Sequence, residues 1–384
     1  MKLTTASILT VLLLSSCSNS YSPPKETAPP FKFKSLKLHQ NNSAGLRLWD
    51  LYSPRASYRI DQRNAIITNP SGTLYRKGEA TYQISAKKGV VTNDGELIEL
   101  LDSVKLSTLD QRKINISAAR ALWRPAANTI ELFGKPQASD PTKILTAGKA
   151  RFNLLQELLE LRDQPRLQQW IKKQNPLQLA QLDLRVKDAN WQLLSGKLTA
   201  AGPIKTIQRP SSKQQRTLFA ASLQGNTREN WLDFYPPVLI SEPARKMQIN
   251  AGLSRWWITE ERITSSAQAR ATLDKLSVAG SNLELLEKNN LIKVGENCEL
   301  SQPGEFLSAN NCIWNWRTGE ISAFGAVELK RKQLNQITLA QELHGKTGNN
   351  GLIVFTAPGR KVHTQLRFPQ AQAGEKRRAA EVQF

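Results

Sequence analysis

One interval in this chain keeps returning, and it constrains the fold more than any other feature. A small residue, Ala118, is followed five positions on by Trp123. Ile130, Leu132 and Gly134 then stand seven, nine and eleven positions beyond the tryptophan. Ala86, Val91, Ile98 and Leu100 keep these offsets, as do Ala147, Phe152, Leu159 and Leu161, and again Val186, Trp191, Leu198, Ala200 and Gly202. Ala251, Trp256, Ile263, Ser265 and Ala267 continue the series, followed by Ala309, Trp314, Ile321, Ala323 and Gly325. Two further units, Ala220, Gly225, Leu232, Phe234 and Ala340, Gly345, Leu352, Val354, put glycine in the aromatic place. The leading residues lie 29 to 39 positions apart, except for one interval of 58 that spans two periods.

Turn formers separate the aromatic from the later apolar pair: Asn93-Asp94-Gly95, Pro125 to Asn128, Ser195-Gly196, Arg317-Thr318-Gly319 and residues 348–351. On either side apolar and polar residues alternate, as in Ile114-Asn115-Ile116 and Ile130-Glu131-Leu132. Such a segment is a strand with one dry face and one wet face. Each unit is therefore a hairpin that buries its dry face only by stacking on its neighbours. Turns this tight favour antiparallel pairing over a parallel β-helix. The expectation is an all-β chain, an elongated two-layered antiparallel β-jelly roll of about nine or ten repeated strand pairs, 18–20 strands in all. The segment best suited to a helix is residues 165–175, in the longest single interval.

The N-terminus carries one positive charge and a short apolar run from Ile8 to Leu14, well below the roughly 20 residues of a membrane span. Residues 1–16 read as a secretory signal peptide, and Leu14-Ser15-Ser16-Cys17 resembles a bacterial lipobox, which makes Cys17 the expected lipidation site. Residues 17–46, with Pro23-Pro24 and Pro29-Pro30, read as a lipid-anchored, proline-rich tether. Beyond it, residues 47–205 and 206–370 are expected to form one continuing series of repeats, with 371–384 a basic disordered tail. Export to an oxidising compartment makes a disulfide between Cys298 and Cys312 possible.

The net charge is +21, and loss of residues 1–16 removes only Lys2, leaving about +20. With export, this favours anionic headgroups or sugar phosphates as partners over nucleic acid. Lys330–Lys332 and Lys376–Arg378 are solvated faces or, at a groove mouth, contacts for acidic sugars.

Residues 72–108, beginning Gly-Thr-Leu-Tyr, contain Gly78-x-x-x-Tyr82-x-Ile84-x-Ala86, followed by strand pairs that end in an apolar-x-apolar-x-Gly step. Together with residues 114–136 and 144–161 they resemble the lipopolysaccharide-export protein LptC, in a large form of cyanobacterial type, over roughly residues 48–205. The resemblance implies an LptC/LptA/OstA-like β-jelly roll with an open hydrophobic groove. It implies a carrier of lipopolysaccharide or a related glycolipid, loaded by an inner-membrane ABC transporter and unloaded to an LptA-like bridging protein through edge-strand pairing. The expected location is the periplasm, anchored by the N-terminal lipid to the inner membrane, with the outer membrane as the alternative. LptC proteins usually keep an uncleaved transmembrane helix and are about half as long, two departures here. Groove candidates are Tyr82, Ile84, Ile98, Leu100, Trp123, Ile130, Leu132, Phe152, Leu159, Leu161, Trp191 and Leu198.

The sequence offers little to an enzyme. His39, His344 and His363 are scattered without metal-ligand spacing, and the G-x-S-x-G, H-E-x-x-H and glycine-rich phosphate motifs do not occur. No cofactor, metal or catalytic residue is expected. The rival readings are a structural or protein-interaction envelope lipoprotein whose aromatic series simply fills a core and, more weakly, a polysaccharide-binding or polysaccharide-cleaving β protein.

Overall fold

The computed structural model describes residues 29–170, 178–211, 214–346 and 353–367. The expected signal peptide, Cys17, the turn at 348–351 and the basic tail lie outside these residues. The described residues form 34 strands and two short 3₁₀ turns, and every strand pairing is antiparallel.

The pairings resolve into two ladders. The first sheet runs from Phe31–Phe33 through Arg55–Arg59, Asn64–Thr68 and Lys88–Thr92 onward to Ile353–Thr356. The second begins at Leu36–Asn41 and passes through Arg47–Ser53, Ser71–Arg76 and Glu79–Ser85 to His363–Leu366. Long strands belong to both sheets. Leu97–Thr108 and Asn115–Arg124 pair on either side of a bulge at Ala118/Arg120, and similar register shifts fall at Ala201/Ile204, Ala279/Ser281 and Phe324/Val327. A bulge bends a strand and raises its local twist, which lets one arm pass from one sheet to the other.

All these bends lie along one edge, a seam where the sheets are continuous. Tight turns line the opposite edge of each sheet, forming two lips. In cross-section the molecule is a V, closed at the seam. The repeat is one complete hairpin of the first sheet: out from the seam at the small residue, around a turn, and back to the seam. Its closing glycine sits at the bend. Gly134 has φ +75°, and a Cβ there would come within 2.5 Å of the Ala119 Cβ, so a side chain is excluded on both counts.

Several expectations need correction. The strands outnumber the expected 18–20 because most arms break at the seam into one strand per sheet. The expected helix at 165–175 is not formed where it is described. Arg166–Gln169 is a strand paired on both sides, with Leu167 opposite Leu145 and Leu184; pairing on two edges overrides the helix propensity of its glutamines and arginine. Residues 171–175 lie outside the described residues. The tether ends earlier than 46, because Phe31–Phe33 and Leu36–Asn41 already pair with Arg55–Arg59 and Arg47–Ser53. The division at 205/206 falls inside the paired strand Lys197–Ser211, so the repeats run through it without a break.

Candidate functional site

The recurring residues of the repeat fall on continuous rows. Trp123 is directly opposite Ile98 and Ile130, Ile130 opposite Phe152, Phe152 opposite Leu159, Leu159 opposite Trp191 and Trp191 opposite Leu198. The row continues through Gly225, Leu232, Trp256, Ile263, Leu285, Ile292 and Trp314 to Ile321. It follows the inner face of the first sheet close to its lip. One step nearer the seam, a second row alternates large and small residues: Leu100, Ala121, Leu132, Ala150, Leu161 and Ala189. Facing them on the second sheet stand Ile84, Leu106, Ile116 and Ala138, one continuous line.

The groove candidates are thus brought together on facing inner surfaces, with Tyr82 on the second sheet. They are also packed. All but Trp191 are buried, and Trp123 and Phe152 are fully so. Rings from opposite sheets meet edge to face, Trp49 on Trp123 at 5.2 Å between centroids and Tyr82 on Phe152 at 5.3 Å. The expected groove is therefore narrower than the sequence suggested. Its floor is filled with side chains, and open space survives only between the lips.

Polar clasps bridge the lips in three places. Glu157, on a turn of the first sheet, accepts Arg112 at 2.9 Å and Arg76 at 3.0 Å, both reaching from the second sheet, and its side chain is 1% exposed. Arg112 also holds Asp110 at 2.6 Å. Burial disfavours the charge of Arg112, yet its bonds to Glu157 and Asp110 hold its proton more tightly than in an ordinary arginine. Burial, with the nearby Glu157 carboxylate, pushes the Tyr82 phenol up. Farther along, Lys143 Nζ donates to the Thr227 carbonyl at 3.1 Å, and the same threonine hydroxyl accepts from Trp191 Nε1 at 3.1 Å. In the third clasp Glu287 accepts Gln208 Nε2 at 3.0 Å and pairs with Arg216, which also reaches Glu242 at 3.1 Å. Burial raises the Glu287 pKa, only partly offset by Arg216.

Two mouths lie at opposite ends of this clasped stretch. Toward the N-terminus a cavity of about 290 Å³ opens between Leu74, Arg76 and Lys77 of one lip and Pro125, Leu154 and Leu155 of the other. Toward the C-terminus the sheets part around about 760 Å³, with Leu300, Leu307 and Leu329 facing Ile321, Leu343 and Ile353, and with Lys275, Arg331 and Lys346 among the lining residues. At the seam beside it Cys298 and Cys312 form a disulfide with a Cα separation of 5.9 Å, joining the two sheets.

The clasps were not read from the sequence, because their partners lie 45 residues apart for Glu157–Arg112 and 71 for Glu287–Arg216. One signal existed. The place five after the repeat's aromatic (or the glycine that replaces it) holds Asn128, Gly196, Asn230 and Gly319, whereas Phe152 leads to Glu157 and Trp256 to Glu261, both left-handed at φ +50° and +53°. A bulky acid where asparagine and glycine are natural singles out two positions, of which Glu157 forms a clasp.

Among the described residues no helix is long and apolar enough to cross a membrane. No curated protein matches the chain. Among solved structures it resembles LptH, the LptA homologous periplasmic component of the lipopolysaccharide transport device of Pseudomonas aeruginosa. That resemblance has 8% identity and a TM-score of 0.26, and covers 30% of this chain and 82% of that one. Residues 3–170 match the family described as lipopolysaccharide-assembly, LptC-related. The match takes in the residues on which the sequence resemblance to LptC rests, and it covers the N-terminal part of the chain.

Proposed function

We propose that the protein carries lipopolysaccharide or a related glycolipid across the cell envelope, its acyl chains inserted between the lips and its sugars outside. A role in lipopolysaccharide transport is supported by the family match over residues 3–170. The observation that carries the reading is that the two sheets join along one edge only. Parting the lips exposes continuous apolar rows without breaking a strand pairing. Fully burying a 14-carbon chain contributes on the order of 10 kcal/mol. A trough that is partly filled and partly clasped lowers that figure toward one compatible with release.

In this reading Cys17 anchors the protein by lipid to the inner membrane, an ABC transporter supplies the lipid, and an LptA-like protein of similar fold receives it. Both ends of the sheets offer edge strands for such a partner: among the described residues Phe31–Phe33 and His363–Leu366 each pair on one side only and are exposed throughout. No step calls for catalysis. The full burial of Trp123, Phe152 and Leu132 favours the rival, a scaffold with a filled core.

A photo-crosslinking residue at Leu343, which lines the C-terminal mouth, separates the two readings in cells. Capture of glycolipid there, and not from Ile66 on the outer face, is the expected result. Capture at neither position by folded protein, with no lipid found by mass spectrometry of the purified chain, leaves only the scaffold.

A further inference from the structure

The row along the first lip is apolar except for its indole nitrogens. Trp123 is 0% exposed, Trp256 4% and Trp314 2%. In each of the three the Nε1–H is buried and finds no acceptor among the described residues. A buried tryptophan N–H ordinarily has a partner. Trp191, in the same row, shows the usual outcome by donating to Thr227. Three of the four buried indole donors without a partner therefore recur at one place of the repeat, on the surface that would touch an inserted chain; the fourth, Trp316, lies two residues beyond it. Trp123 also lines the N-terminal mouth with Leu48, Trp49, Leu74 and Leu154, and Arg76 and Lys77 stand at the same opening.

We propose that the Trp123 indole donates a hydrogen bond to an oxygen carried on the buried part of an acyl chain, so that the mouth selects chains bearing a hydroxyl or carbonyl over plain hydrocarbon. The inference rests on the carrier reading above and adds a chemical preference to it. A plain alkyl chain covers the indole and leaves its donor unpaired. A chain with an acceptor a few carbons from its charged end completes the bond while its head group meets Arg76 and Lys77. Trp256 and Trp314 repeat the donor farther along, which gives an oxygenated chain similar stations at successive places.

The test compares tetradecanoate with 3-hydroxytetradecanoate, each displacing a fluorescent fatty acid from the whole protein and from Trp123→Phe. The hydroxylated chain should bind the wild type about fivefold to tenfold more tightly. Trp123→Phe should lose the preference and bind the two chains equally, whatever its overall affinity. In the wild type the Trp123 indole proton resonance should move downfield with the hydroxylated chain only, an observation that does not depend on the variant folding. Equal binding of both chains by the wild type, or an unmoved indole resonance, overturns the proposal while leaving the carrier reading intact. Failure of both chains to bind overturns the proposal and the carrier reading together.

Discussion

Replacing Glu157 by glutamine keeps the shape of the first clasp and removes its charge. At about 4 Å between charge centres and an effective dielectric near 20, each ion pair carries roughly 4 kcal/mol of Coulomb attraction, much of it offset by desolvation. Removing one partner of a buried pair typically costs about 3–5 kcal/mol, because the other charge stays buried. Two facts reduce that figure here. The Arg76 side chain is 36% exposed, so water screens it, and Arg112 keeps Asp110. The expected loss for Glu157→Gln is about 2–3 kcal/mol, read as a lower denaturant midpoint. Most of it should reappear as coupling in a double-mutant cycle with Arg112→Met. The lips should also separate, and spin labels at Lys77 and Leu155, which line the same mouth, report this directly. A coupling energy under about 0.5 kcal/mol together with an unchanged label distance refutes the idea that this pair holds the lips.

Three further outcomes follow from the packing. Phe152→Ala, in the filled floor, should lower stability by about 3–5 kcal/mol in chemical denaturation, and a loss below about 1 kcal/mol would mean the floor is loose. Cys298 and Cys312 close a loop with a sequence separation of 14; reduction, or Cys312→Ser, should cost about 3 kcal/mol, measured as the shift in midpoint with and without dithiothreitol. Burial raises the pKa of Asp183, but Arg166, Arg185 and Arg209 outweigh it and hold the carboxyl below its ordinary value of 3.8. A lowered folded pKa gives stability that is present above pH 3.8 and lost as the pH falls through the folded value. Asp183→Asn should therefore be less stable than wild type at pH 6, with the gap closing in denaturation curves below about pH 3.8.

Half of this architecture was legible because it is local. The offset of seven between Trp123 and Ile130 is the hairpin itself: the two residues face each other across a four-residue turn, and the same arithmetic holds for Phe152 with Leu159 and Trp314 with Ile321. The second sheet was harder to read. Its short strands, such as Gln137–Ser139 and Lys143–Thr146, offer few alternating residues before the chain bends back. Arg166–Gln169 shows the cost, since its composition suggests a helix and only its neighbours make it a strand. The alternation in Phe31-Lys32-Phe33 and Leu36-Lys37-Leu38 was present but was outvoted by the prolines before it. The sites of burial were readable while the fullness of the floor was not, because alternation tells which face is dry and says nothing of how closely two dry faces approach.

A fold in which every hairpin adds the same increment has a length set by counting. Adjacent strands stand ~4.8 Å apart, so a first sheet of roughly twenty rungs makes a rod about 95 Å from end to end. Each hairpin gained or lost alters that reach by two rungs, ~10 Å. Such a molecule is a ruler as well as a container: the gap it can bridge between two surfaces is written in the number of its repeats.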